Sequence, residues 1–292
     1  MKNPKTIAIV FYLTFLMFSN IGASAEAKPV NIIIILDTSD RISDEKHPGQ
    51  IERDKEIIEE IVTEFEKVTK QHILASEKLE YQDRLTIAIP NQPGVPPVPR
   101  QIMKDLAIAD KNRDSHRSLA GINADVENRK QVFLNTLDTL YEFVRQHRHT
   151  GSDIWEWFKY EAESYFSESH QNIIICISDG YLIFDNIIED MRIPRTYMRV
   201  KELRDDPQWE QKIQGGEGLL TIGQDFSRYN IDFLMSEIQL QTDENKVPYQ
   251  KDFQIITLYW EVWLKAMKIK STNFGKVGHP VGQKIKNLIE QG

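Results

Sequence analysis

The stretch Asn31-Ile32-Ile33-Ile34-Ile35-Leu36-Asp37-Thr38-Ser39-Asp40 decides the fold. Four successive isoleucines leave no polar alternation, so the segment reads as a strand covered on both faces, as in the parallel sheet of an α/β protein. It ends in an acid and a hydroxyl, Asp37 and Ser39. Ligands of such sheets gather just beyond the C-terminal strand ends, which makes this pair the entrance to a candidate cation site. A buried strand followed by an ordinary Asp-Ser turn accounts for the same residues without any function.

Working outward, Ile57, Ile58, Ile61, Val62, Phe65 and Val68 recur at three- and four-residue spacing, which predicts a helix over about residues 51–72. Glu59, Glu60, Glu66 and Lys67 occupy its opposite, solvated face. A strand follows at 85–89, closed by Pro90 and the proline-rich segment 93–99, where proline removes ladder donors. A short strand at about 102–109 is expected as an antiparallel edge, and the polar residues 110–127 as an exposed insertion. Helical spacing resumes at Phe133, Leu137, Leu140, Tyr141 and Val144. One further helix is predicted from Ile154, Trp155, Phe158, Ala162, Tyr165 and Phe166, capped by Ser152 or Asp153.

The run Ile173-Ile174-Ile175-Cys176-Ile177 gives a second all-apolar strand, and it ends in Ser178-Asp179-Gly180. Residues 186–230 read as irregular, with helical patches near 197–213 and a turn at Gly215-Gly216. A strand at about 231–240 leads through a polar loop to a long helix bearing Phe253, Ile256, Trp260, Trp263, Leu264 and Met267. This order predicts an α/β fold: a doubly wound, mostly parallel sheet of Rossmann type, helices on both faces, and one short antiparallel edge strand. The expected domain is single, spanning 26–292, with insertions near 91–127 and 186–230.

Lys2 and Lys5, the apolar stretch Ile7–Phe18 and Ala23-Ser24-Ala25 have the layout of a signal peptide over residues 1–25. That predicts an exported protein, periplasmic or extracellular, with no membrane span in the mature chain. Removing the two lysines takes the formal net charge from −8 to −10. Such an acidic chain is a poor nucleic-acid binder. The single cysteine, Cys176, lies in an apolar strand and is expected to be buried and inert.

Asp37 and Ser39 after one buried strand, Ser152 before a helix and Asp179 after another strand can meet at one sheet edge. Carboxylates and hydroxyls are hard oxygen ligands suited to Mg²⁺. Hydroxyls add no negative charge, so the ion stays electrophilic enough to accept a carboxylate from a partner. That logic favours binding over hydrolysis.

Three segments carry a resemblance to the von Willebrand factor type A family: Ile34-Ile35-Leu36-Asp37-Thr38-Ser39, Thr150-Gly151-Ser152-Asp153-Ile154 and Ile175-Cys176-Ile177-Ser178-Asp179-Gly180. They resemble, in order, its metal-ion-dependent adhesion site: Asp-x-Ser-x-Ser, a distant threonine, and an aspartate in a Thr-Asp-Gly-like turn. The resemblance implies metal ligation by Asp37, Ser39, Ser152 and Asp179, with serine at position 152 where threonine is usual. It implies bound Mg²⁺ and a protein partner offering an acidic side chain. The third position of the first motif is Arg41, which cannot ligate a metal. Its guanidinium either repels the ion or, placed over Asp37 and Asp179, neutralises the carboxylates in its stead. Asp40 and Ser43 are the neighbours able to compensate for the missing hydroxyl.

The leading expectation is therefore a protein-binding module for adhesion or scaffolding, not an enzyme. Two alternatives stand beside it. One is a metal-free structural subunit of an envelope assembly. The other is a Mg²⁺-dependent phosphatase of haloacid-dehalogenase type, in which Asp37 attacks phosphorus and Asp179 and Asp185 hold the ion; Ser39 stands where that family needs a second aspartate. His147 and His149, flanking Arg148 at a helix C-terminus, and His47 lack the further ligands of a metal site. Trp155 fits the core face, whereas Trp157 is expected to project elsewhere, as a surface contact or under a loop.

Overall fold

The computed structural model describes residues 28–76, 81–92, 94–110, 118–147, 152–182, 200–218 and 221–290. Residues 1–25, expected to be a signal peptide, Asp185 and His149 lie outside these. In chain order the elements are β1 (Val30–Leu36), α1 (Gln50–Ala75), β2 (Arg84–Ala88), α2 (Arg100–Asp105), β3 (Ala107–Ile108), α3 (Leu119–Gln146), α4 (Ile154–Tyr160), β4 (Gln171–Ile177), α5 (Val200–Leu203), α6 (Trp209–Gln214), β5 (Ile231–Ile238), α7 (Gln250–Ala266), β6 (Ser271–Lys276) and α8 (Gly282–Glu290). The strands form one six-stranded sheet in the order β3-β2-β1-β4-β5-β6. All pairs are parallel except β2 with β3.

The isoleucine run does what its lack of alternation requires. Every residue of β1 is buried, and its side chains divide between two cores. Ile33 and Ile35 join Ile174, Cys176, Phe233 and Met235 under α4 and α7, where Trp157, Trp260 and Trp263 are among the largest fully buried side chains. Ile32, Ile34 and Leu36 join Ile173, Ile175 and Ile177 under α1, α3 and α8. Full burial of an isoleucine contributes roughly 1.5–3 kcal/mol, so this strand alone anchors much of the sheet.

Several expectations are corrected. Residues 100–105 are helical, and the antiparallel edge strand is only the pair 107–108. Residues 119–127 are the first turns of α3, and Ile122 and Val126 are fully buried against Ile73 and Tyr81. The helix predicted through Phe166 stops at Tyr160 and gives way to a 3₁₀ turn, Ala162–Tyr165. Trp157 is 0% exposed and packs edge-on to Phe158, with centroids 5.0 Å apart, so it is core rather than surface. β6 and α8 are additions that the sequence reading did not contain.

Candidate functional site

Leu36 pairs with Ile177, and Ile177 with Ser236, so β1, β4 and β5 end side by side at the centre of the sheet. The chain leaves β1 toward β2 and leaves β4 toward β5, in opposite directions along the sheet. A reversal of this kind opens a crevice outside the C-terminal strand ends. Asp37 and Asp179 stand there, one residue past β1 and two past β4.

Asp37 is 4% exposed and tightly held. Its backbone N–H donates to the Ile177 carbonyl at 3.1 Å, extending the ladder by one rung. Its Oδ1 accepts from the Ser39 backbone N–H at 2.9 Å, and its Oδ2 from the Ser178 hydroxyl at 2.7 Å. Ser39 caps a 3₁₀ turn over Asp40–Ile42. Ser178 was not singled out from the sequence; the signal was a hydroxyl in register with Asp37 on the neighbouring strand. Asp179 accepts the Tyr181 N–H at 3.1 Å. Burial, then the neighbouring Asp37 charge, push its carboxyl up to about 7, against the lowering pull of Arg41. Gly180 follows with φ +87°, and its carbonyl accepts from Trp260 Nε1 at 3.0 Å, which ties this turn to α7.

Arg41 has its main partner elsewhere, although its charge reaches Asp37 and Asp179. Its guanidinium, 2% exposed, turns to Asp54 on α1 in a bidentate pair, Nη1 to Oδ2 and Nη2 to Oδ1, both 2.8 Å. Nη1 also donates to the Asp37 backbone carbonyl at 3.1 Å. Asp54 accepts in addition from Gln50 Nε2 at 2.8 Å and the Tyr141 hydroxyl at 3.1 Å, so all four of its lone-pair directions are used. Burial alone would lower the Arg41 pKa, and Asp54 more than reverses that, holding it above its ordinary value. Asp54 carried a sequence signal: with Gln50 and Ile58 it falls at four-residue spacing on the inward face of α1.

Of the remaining expected ligands, Ser152 lies just before α4, and its hydroxyl is buried without a hydrogen-bond partner. Asp153, not Ser152, is the α4 cap, accepting the Glu156 N–H at 2.8 Å. Asp40 is exposed and pairs with Lys46 at 2.5 Å, pointing its charge to solvent; Ser43 closes the 3₁₀ turn through its N–H. A hydrogen bond thus joins Asp37 to Ser39, and Asp179 lies near enough to feel the Asp37 charge, while among the described residues no bond joins Ser152 to them. His147 stacks on Phe143 with centroids 4.1 Å apart and its Nδ1 lies 2.8 Å from the Phe143 carbonyl oxygen, a helix-end role.

A further acid, Glu237, lies at the end of β5, where the pairing with β6 shifts register and the backbone takes φ +69°. Such a conformation in a non-glycine residue costs on the order of 1–3 kcal/mol. Its buried carboxylate receives Gln50 Nε2 and the Gly278 N–H, each at 3.3 Å, with Arg53 Nε at 3.6 Å. Among the described residues no three His, Cys, Asp or Glu side chains are grouped as around a metal ion. The expected donor set contains two carboxylates, its other oxygens being hydroxyls. No helix among the described residues is long and apolar enough to cross a membrane.

Comparison with protein-family models finds no match, and comparison with curated proteins finds none. Among solved structures the chain is similar to the pilus adhesin SpaC from Lactobacillus rhamnosus GG in its open conformation, with a TM-score of 0.37 and 13% sequence identity over 90% of this chain. The chain spans about 30% of the length of that adhesin.

Proposed function

We propose that this is an exported protein-binding module of von Willebrand factor type A-like, doubly wound architecture, which engages its partner at the C-terminal edge of the sheet. One observation carries the reading: Asp37 and Asp179 face one crevice from adjacent parallel strands, and burial with mutual repulsion pushes Asp179 up to about 7. Arg41 offsets part of this repulsion, yet its guanidinium is spent on Asp54, and two neighbouring carboxylates so placed favour a cation between them. The strand order, the antiparallel β3 and the cover of helices on both faces support the architecture. The signal-peptide layout of residues 1–25 supports export.

The ion that suits this oxygen set is Mg²⁺, which Asp37 and Asp179 would hold with hydroxyls from Ser39 and Ser152. When bound, it supplies an electrophilic position for a carboxylate of the partner. The protein's own residues orient the donors: Ser178 and the Ser39 N–H fix the Asp37 carboxylate, and the Tyr181 N–H fixes Asp179. Arg41 is compatible with this arrangement because its guanidinium is committed to Asp54. Capture of partners from envelope extract, with Mg²⁺ or with chelator, tests the reading. Loss of capture in chelator and in Asp37→Ala is expected; capture indifferent to both contradicts it.

One observation favours a second reading, the metal-free structural subunit. The third hydroxyl of the adhesion motif is replaced by Arg41, and the Arg41–Asp54 pair puts a permanent cation beneath the same edge. In that case the fold uses the edge as a fixed polar surface.

A further inference from the structure

Beside the crevice, the loop after β2 and the segment after α4 enclose a groove of about 160 Å³, lined by Pro90, Asn91, Pro96, Met103, Glu161 and Tyr165 among others. This is about the size of an apolar cavity of roughly 150 Å³ that takes up benzene. The groove adjoins the strand-end crevice, because Gln92 Nε2 lies 3.5 Å from the hydroxyl of Thr38, the residue between Asp37 and Ser39.

The walls are pyrrolidine rings, a thioether and a phenol, and a single carboxylate stands among them. Asn91 Nδ2 donates to Glu161 Oε1 at 2.7 Å, and no cation pairs with Glu161 among the described residues. Lys159, two residues away, is occupied elsewhere, its Nζ 4.6 Å from the Trp155 ring centroid and 5.1 Å from that of Tyr160. Burial, then the charge of Glu156, hold the Glu161 carboxyl above the usual range. The chain has thus partly desolvated an acid and given it a neutral amide instead of a counter-charge.

We infer that this groove is a docking pocket for a lysine side chain of a partner protein, its alkyl stem lying on the proline and tyrosine rings and its ammonium meeting Glu161. Rings of this kind cover a lysine stem well while leaving its head polar. Asn91 takes one acceptor position on Oε1, and the positions left on the carboxylate can receive the N–H donors of an ammonium. The inference goes beyond the cation reading, since it requires neither Asp37 nor a metal.

The test is titration of the ¹⁵N-labelled full chain with Nα-acetyl-lysine methylamide and, separately, with its norleucine counterpart. The expected result is saturable amide shifts at Asn91 and Glu161 for the lysine probe, with Kd on the order of 1 mM. Norleucine should bind roughly ten-fold more weakly, as should lysine to Glu161→Gln. Chelator should leave the full lysine response of the unmodified chain, which separates failure of this groove from failure of the metal reading. Equal response to lysine and norleucine on the unmodified chain overturns the inference whatever the variants do. So does an unchanged lysine response in Glu161→Gln, or its loss in chelator.

Discussion

Replacing Asp54 by alanine is the most demanding test of how the crevice is built. The substitution strips the partner from a guanidinium that is 2% exposed and removes the acceptor used by Gln50 Nε2 and by the Tyr141 hydroxyl. Breaking a buried ion pair from one side costs about 3–5 kcal/mol, because the remaining charge is left uncompensated. For a chain of this size, a loss of about 1 kcal/mol lowers Tm by roughly 2–4 °C, so a fall of about 6–20 °C is expected. The double substitution Arg41→Met with Asp54→Leu removes both charges and refills the space with apolar atoms. It should recover most of the loss, since such replacements are commonly neutral or stabilising. Thermal melts followed by circular dichroism and by tryptophan fluorescence measure both, and coincident transitions validate the comparison. A drop of under about 2 °C for Asp54→Ala would refute the claim that this pair is structurally committed. A double variant as unstable as the single would refute the reasoning about the uncompensated charge.

Two other predictions concern the turn after β4. Asp179 has a folded-state pKa of about 7 against an ordinary 3.8, so its contribution to stability is fully present below pH 3.8 and is lost as the pH rises through 7. In the absence of divalent cations, Asp179→Asn should flatten this part of the stability–pH curve; an unchanged slope between pH 4 and 7 removes the assigned cause. Gly180→Ala should destabilise by about 2–4 kcal/mol, since its Cβ would lie 2.9 Å from Ile256 Cγ2 at φ +87°. Urea unfolding reads this directly, and a change below about 0.5 kcal/mol would contradict the close packing of α7 on the turn.

How much of this was legible in the sequence depends on where each signal resides. β1 and β4 were legible because burial on both faces selects a run of isoleucines, and α1, α3 and α7 because one-sided burial selects helical spacing. β6 was not, because only Gly275 of its six residues is buried and Ser271-Thr272-Asn273 carries no apolar pattern. The start of α3 was hidden by the polar residues around Ile122 and Val126. At the crevice, Asp37 and Asp179 could be named because they immediately follow apolar runs. The Arg41–Asp54 pair could not, although Asp54 sits on the inward face of α1: pairing across thirteen positions depends on how helix and loop meet. Trp157 is core and not a surface contact because a short helix followed by a 3₁₀ turn buries more of its circumference than an isolated amphipathic helix would.

The central claim is that Asp37 and Asp179 form the cation-accepting edge of a binding module. Calorimetric titration of Mg²⁺ and Mn²⁺ into a chain beginning at Glu26, repeated with Asp37→Ala, tests it most directly. The account predicts saturable heats that disappear in the variant while its thermal unfolding stays cooperative. Equal heats from the two proteins, or no binding heat from the unmodified one, would contradict it.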